Sequence, residues 1–233
     1  MNNQKCPDNS LENCLGPCPD KIAAELTINA NECVFTAGKT EIMRKKICDK
    51  HLHDENRKIM CIVLESPHKD EFDERKKKNG ISIPSPAVGA TGTLFFKHFE
   101  GLIKKSKIYP QLADGYYIIF MNAVRMQASK GKALGKKHPD NVKCRDDNWL
   151  NFWNCRSGEQ DFIERLIKYN PDVIINLCTK GHEDREKGEE LQDFVERAII
   201  KYKEDKTNKA SETIITKGNH PSSWMGPRNR RID

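Results

Sequence analysis

Three short apolar runs stand out from an otherwise polar chain: Ile59–Leu64, Tyr116–Met121 and Val173–Leu177. Each is strand-length, nearly continuous in apolar residues and followed by polar ones. That is the pattern of a parallel strand buried on both faces. A weaker fourth run, Thr213–Thr216, leads into Gly218-Asn219-His220-Pro221. Helical periodicity fills the intervals. Gly92–Ile103 places Leu94, Phe95, Phe99, Leu102 and Ile103 on one stripe. Asp161–Tyr169 does so with Phe162, Ile163, Leu166 and Ile167, and Glu189–Lys203 with Leu191, Phe194, Val195, Ala198 and Ile199. The alternation predicts an α/β fold, a three-layer α/β/α sandwich around a central, mostly parallel, four-stranded sheet. Ligands of such sheets bind beyond the carboxyl ends of the strands, and all four ends here are polar.

The first fifty-odd residues differ. They carry Cys6, Cys14, Cys18, Cys33 and Cys48 without strong periodicity. Residues 1–56 therefore read as a cysteine-containing extension packed on a core domain of residues 57–233. The chain's 233 residues are enough for one full core and tight for two. A net charge of +6 suits a polyanion such as DNA, although a mildly basic solvated surface gives the same number. No apolar run is long enough to span a bilayer, and Met1–Lys5 does not open a signal peptide. A soluble, cytoplasmic monomer with no membrane partner is the expectation. Its nine cysteines are then expected to be free thiols rather than disulfides.

Four motifs carry candidate chemistry. Leu64-Glu65-Ser66-Pro67-His68-Lys69-Asp70-Glu71 follows the first strand, where a carboxylate on a rigid support can orient water or stabilise a cation. Pro84-Ser85-Pro86-Ala87-Val88-Gly89-Ala90-Thr91-Gly92 leads small residues into a helix, whose free N–H groups can receive a phosphate or a base carbonyl. Asn122 ends the second strand, and its carboxamide offers a donor and an acceptor suited to a base edge. His220 in Asn219-His220-Pro221-Ser222-Ser223-Trp224-Met225 can stabilise an anionic leaving group, and the bulky residue behind it can enter a base stack. Taken singly, each has an ordinary reading: a charged loop, a helix entry, a turn cap, a surface histidine beside a core tryptophan.

Their order and spacing are more specific. A strand-end Glu-x-Pro, then Pro-x-Val-Gly before a helix, then a strand-end Asn-x-Val, then His-Pro-Ser resembles the uracil-DNA glycosylase superfamily over residues 57 to 227. The nearest pattern is the family-four type, which reads Gly-Glu-Ala-Pro-Gly, Pro-Phe-Val-Gly, Asn-Val-Val-Lys-Cys-Arg-Pro and His-Pro. The resemblance implies an enzyme that flips a base out of single- or double-stranded DNA and hydrolyses its N-glycosidic bond. It implies Glu65, Asn122 and His220 as catalytic residues, with Glu71 matching a second acidic position. It implies a base pocket from Ser66, Pro67, His68, Ala87 and Asn122. DNA contacts would come from Ser222, Ser223, Trp224, Arg228 and Arg230, with Trp224 at the position of an intercalating leucine.

The departures carry information. Ala87 stands where family four has the phenylalanine that stacks on uracil, and His68 stands where it has glycine. Loss of the ring implies a pocket for a larger base, such as the glucosylated hydroxymethylcytosine of phage DNA, and hence a role in antiviral defence as well as the repair role of the family. Family four also carries a four-cysteine iron–sulfur cluster. Met126 occupies its third cysteine position, Cys155 fits the fourth, and Cys14 and Cys18 are one residue too far apart. No cofactor or metal is therefore expected, and a zinc site drawing on the early cysteines with His51 has no stronger claim. Two other functions stay open: a module on the same fold that recognises DNA or a modified base without cutting, and a hydrolase of free nucleosides or nucleotides.

Overall fold

A computed structural model describes residues 17–29, 32–37, 57–68, 71, 77–78, 81–82, 85–112, 114–128, 139–155, 157–181, 189–205 and 212–233. The chain is α/β. Its main sheet has six strands in the order β2-β1-β6-β3-β7-β8. These are β1 (Lys21–Asn29), β2 (Glu32–Ala37), β3 (Lys58–Leu64), β6 (Asp114–Asn122), β7 (Val173–Asn176) and β8 (Ile214–Lys217). A two-stranded ribbon, β4 (Lys77–Lys78) with β5 (Ile81–Ser82), lies apart from it.

β6, β3, β7 and β8 run parallel and correspond to the four apolar runs of the sequence. β1 and β2 add an antiparallel hairpin at the β6 edge, so the sheet is mixed and six-stranded rather than four-stranded and mostly parallel. The hairpin comes from the segment that showed no periodicity, and β1 shows why. A register shift between Ile22 and Ala24 places Ile22, Ala23 and Ala24 in succession in the interior. A bulge of this kind erases the inside–outside alternation by which a strand is recognised.

Alternation within the central strands divides the core. Ile59, Cys61 and Val63 of β3 and Tyr117, Ile119 and Met121 of β6 face one cluster; Met60, Ile62, Leu64, Ile118 and Phe120 face the other. The first cluster is closed by α2 (Pro139–Cys155), α3 (Gly158–Tyr169) and α4 (Leu191–Glu204). The second is closed by α1 (Ala90–Ile103), Trp224 and Ile232. Helix α2 was not expected from the sequence. Its early turns are polar, and its aromatics Trp149, Phe152 and Trp153 crowd the C-terminal half, so no repeating stripe forms.

The parallel strands leave Glu65, Asn122, Thr179 and His220 at one end of the sheet, because each follows the carboxyl end of its strand. A buried ion pair fixes that end. Arg165 of α3 pairs with Asp20 at 2.8 Å and donates to the carbonyl oxygens of Asn122 at 2.9 Å and Ala123 at 3.2 Å. Its Nε reaches Asp161 at 2.9 Å, and the Tyr169 hydroxyl donates to the other Asp20 oxygen at 2.9 Å. Removing one partner of a buried pair leaves the other charge without compensation. Arg165→Met is therefore expected to lower unfolding stability by about 3–5 kcal/mol. Urea titration would show a lower midpoint at an unchanged slope.

Candidate active site

Glu65 is the first residue beyond β3. Its backbone carbonyl accepts from the Val124 N–H at 3.1 Å and from the Trp149 indole at 3.0 Å, which pins the loop to β6 and to α2. The carboxyl group is largely buried, and its Oε1 receives the Ser66 hydroxyl at 3.2 Å. The Arg145 Nε lies 3.3 Å from the same oxygen. Arg145 is one helical turn before Trp149 on α2, and Asp146 grips it through Nε at 2.8 Å and Nη2 at 2.7 Å. Burial alone would push this guanidinium down, but the carboxylates of Glu65 and Asp146 outweigh it and hold it above its ordinary value. No sequence motif singled out Arg145.

Asn122 ends β6 with its backbone carbonyl held by Arg165. Its side chain is buried, and neither the carboxamide nitrogen nor the oxygen has a hydrogen-bond partner among the described residues. The Cys18 thiol borders the carboxamide, but S–H is too weak a hydrogen-bonding group to satisfy either atom. An unsatisfied buried amide costs about 1–3 kcal/mol, so the Asn122 side chain, which lines the cleft, suits a ligand that supplies its missing partners. Beside it, Glu71 accepts the Ala87 N–H at 3.0 Å and holds the loop before α1. That loop is tightly wound. Ala87 has φ 56°, and a Cβ on Gly92 would stand 1.9 Å from the Ala87 carbonyl oxygen, so only glycine fits there.

His220 follows β8. Its Nδ1 accepts from the Ser222 N–H at 3.3 Å and lies 2.8 Å from the Ser222 hydroxyl. This pairing selects the tautomer with the proton on Nε2. The enclosing protein, and secondarily the Arg145 charge, push the imidazole down to about 4, so the ring is neutral at pH 7 and a donor without charge. Several bonds hold its loop. Gln192 donates to the Gly218 carbonyl at 2.8 Å, the Asn219 N–H to Arg231 at 3.1 Å and the Trp224 indole to Asn219 at 2.9 Å. Gly218 bridges Ile232 of the C-terminal segment. A Cβ at Gly218 would approach the Arg231 carbonyl oxygen to 2.3 Å.

These elements enclose a cleft of about 460 Å³, within the ~300–1,000 Å³ range of small-molecule sites. Glu65, Ser66, Pro67, His68, Glu71, Asn122, His220 and Ser222 line it, so three polar groups far apart in sequence meet in one cavity. Leu64, Val88 to Thr91, Arg145 and Thr179 also line it; Val88 to Thr91 belong to the helix-entry motif, whereas Arg145 and Thr179 lay in no motif.

Other expected positions fall elsewhere. Ala87 is packed in the core cluster under α1, and the wall at that point is made by Val88 and its successors. Trp224 is fully buried and stacks on Phe95 at 6.1 Å, so its ring belongs to the core and is not available to enter a base stack. The exposed apolar residue of that loop is Met225, at 77%. Ser223 donates to the His220 carbonyl at 2.7 Å and Arg230 to the Trp224 carbonyl at 2.8 Å, so both brace the loop. Arg228 is exposed on a 3-10 turn, Pro227–Asn229.

The buried thiols of Cys18, Cys33, Cys61 and Cys178 are all pushed up, by burial first, which disfavours the reactive thiolate. Among the described residues, no three His, Cys, Asp or Glu side chains gather as metal ligands; Cys6, Cys14, Cys48 and His51 lie outside those residues. No helix among them is long and apolar enough to cross a membrane. Comparison with protein-family models gives no match to this chain, and comparison with curated proteins gives none either.

The state of His220 has a measurable sign. Its folded pKa is depressed from 6.5 to about 4, so the unfolded chain binds the extra proton first as pH falls. Stability from this group is complete above 6.5 and is lost as pH drops from 6.5 towards 4. Nitrogen-15 NMR of the imidazole is expected to show the Nε2–H form down to about pH 4. A midpoint near 6.5 would contradict the environment described.

Proposed function

We propose that the chain is a DNA glycosylase of the uracil-DNA glycosylase kind, built as a three-layer α/β/α sandwich. On this reading it flips a base into the cleft and hydrolyses its N-glycosidic bond to leave an abasic site. The observation that carries the reading is the Asn122 carboxamide, buried with neither polar atom hydrogen-bonded among the described residues, in a side chain that lines the same cleft as Glu65 and a neutral His220. A nucleobase edge presents the adjacent donor and acceptor that such a carboxamide lacks.

The chemistry follows from the groups present. As the bond between the sugar C1′ and the base nitrogen lengthens, the electron pair moves to the base and the sugar becomes an oxocarbenium ion. The Nε2–H of His220 donates to the base oxygen where negative charge grows, and a neutral donor does so without forming a salt bridge in the ground state. Glu65, oriented by Arg145 and Ser66, stabilises the cation and accepts a proton from the water that attacks C1′. That proton later leaves with the anionic base. Ser222, Arg228 and the wider basic surface would contact backbone phosphates. Met225 takes the stacking role first expected of Trp224.

The pocket favours a base larger than uracil, in keeping with a defence role against modified phage DNA. Among the described residues, the loop before α1 contributes no aromatic ring to the cleft, and the volume of about 460 Å³ leaves room for a substituent.

Incubating the protein with uracil-containing DNA and with glucosylated hydroxymethylcytosine DNA, followed by alkaline cleavage, tests both levels. Strand breaks are expected on the modified DNA. Glu65→Gln is expected to lower the rate by about 10²–10⁴-fold while DNA binding persists. Binding without breaks on either DNA would identify a recognition module instead. Breaks on uracil DNA alone would remove the large-base reading and keep the glycosylase one. Asn122→Ala is expected to weaken discrimination between bases more than binding of undamaged DNA, read by competition with a normal duplex.

A further inference from the structure

Arg145 is the one cleft-lining side chain with a positive charge among the described residues, other than by protonation of a histidine. Its position is set before any ligand arrives. Trp149, one turn later on α2, donates to the Glu65 carbonyl at 3.0 Å, and Asn148 donates to the Ala128 carbonyl at 3.0 Å. These two bonds lock α2 against the β3 and β6 ends. Asp146, itself buried, saturates one edge of the guanidinium. Nε also lies 3.3 Å from Glu65 Oε1. A largely buried guanidinium of this kind is a fixed dipole and charge, with little freedom to follow a substrate.

We infer that Arg145 is the positioning residue of the cleft, a preset cation that aims the Glu65 carboxylate and adds its charge to the surroundings of His220, which lines the same cleft. This deepens the glycosylase reading and rests on it for its catalytic consequence. One cation acts on two groups with opposite needs. Beside Glu65 it favours the negative carboxylate that a sugar cation requires. Towards His220 it disfavours the imidazolium, in the same direction as burial. Among the described residues, the other charged or titratable groups acting on Arg145 are Asp146 and Cys178, and Glu65, His68 and Glu71 line the cleft with His220. Asp146 is consumed in holding the guanidinium, and the Cys178 thiol is held protonated by burial. The arrangement therefore favours opposite charge states at Glu65 and His220 on the two sides of the scissile bond.

The test uses the full chain with Arg145→Gln, Arg145→Lys and the double variant Arg145→Gln with Asp146→Asn. The double variant guards against misfolding from an unpaired buried aspartate. The first readout needs no activity. Nitrogen-15 NMR of His220 is expected to show its titration moving up from about 4 in both variants that lose the charge. The shift should be on the order of half a unit or more, and Arg145→Lys should largely restore the wild-type value. An unmoved titration overturns the inference. The second readout is kinetic. Arg145→Gln is expected to lower kcat by at least about tenfold with KM changed by less than about threefold, and to add no further loss in a Glu65→Gln background. A rise in KM alone, or a loss that persists in that background, overturns it in favour of direct substrate binding. A wild-type protein that forms no abasic sites would remove the glycosylase reading while the NMR result still decides the role of Arg145.

Discussion

Burying the guanidinium of Arg165 beneath the ends of β6 and α3 is the constraint on which the rest of the site depends. The cost of taking a cation out of water is offset only if every donor finds a partner, and here the partners are Asp20, Asp161 and two backbone carbonyls. Those carbonyls belong to Asn122 and Ala123, the residues at which β6 stops being a strand. The ion pair thus converts a strand end into a rigid platform and fixes the direction in which the Asn122 side chain leaves it. It also ties Asp20, just before β1, to the core. The antiparallel hairpin and the candidate site share one electrostatic anchor.

A rigid platform permits a buried polar group to stay unsatisfied. In a looser loop, the Asn122 carboxamide would turn to find a partner and the cost of leaving it open would vanish. Here its backbone is held, and the carboxamide is packed in the interior. The same logic recurs at His220, where Ser222 claims Nδ1 and leaves Nε2–H for the cleft. It recurs at Glu65, where Val124 and Trp149 hold the backbone while the carboxylate meets Arg145. In each case hydrogen bonds fix a residue that lines the cavity. This is the arrangement that electrostatic preorganisation requires.

The loop after β8 shows how a core residue and a site residue can be neighbours in sequence. Trp224 packs against Phe95 and donates to Asn219, so burial of its ring closes the loop around His220. The C-terminal segment adds a second closure, as Ile232 bridges Gly218 and the Asp233 N–H bonds Lys217. The ring thus shapes the site from beneath, and the surface role passes to Met225.

The sequence by itself determined the four parallel strands, because strands buried on both faces must be apolar throughout and are short enough to see. It determined Glu65, Asn122 and His220 as candidates, because each is a polar residue at the abrupt end of an apolar run. Helices α1, α3 and α4 were legible from their stripes. Tertiary structure alone decided the rest. The β1 bulge hid a strand whose inward positions are consecutive, and α2 carries its apolar residues at one end only. Arg145 is invisible in sequence, since its role arises from Trp149 and Asp146 placing it beside a carboxylate eighty positions earlier. Whether Trp224 lay in or out turned on a ring of α1 distant in the chain, for burial is a property of contacts and not of residue type.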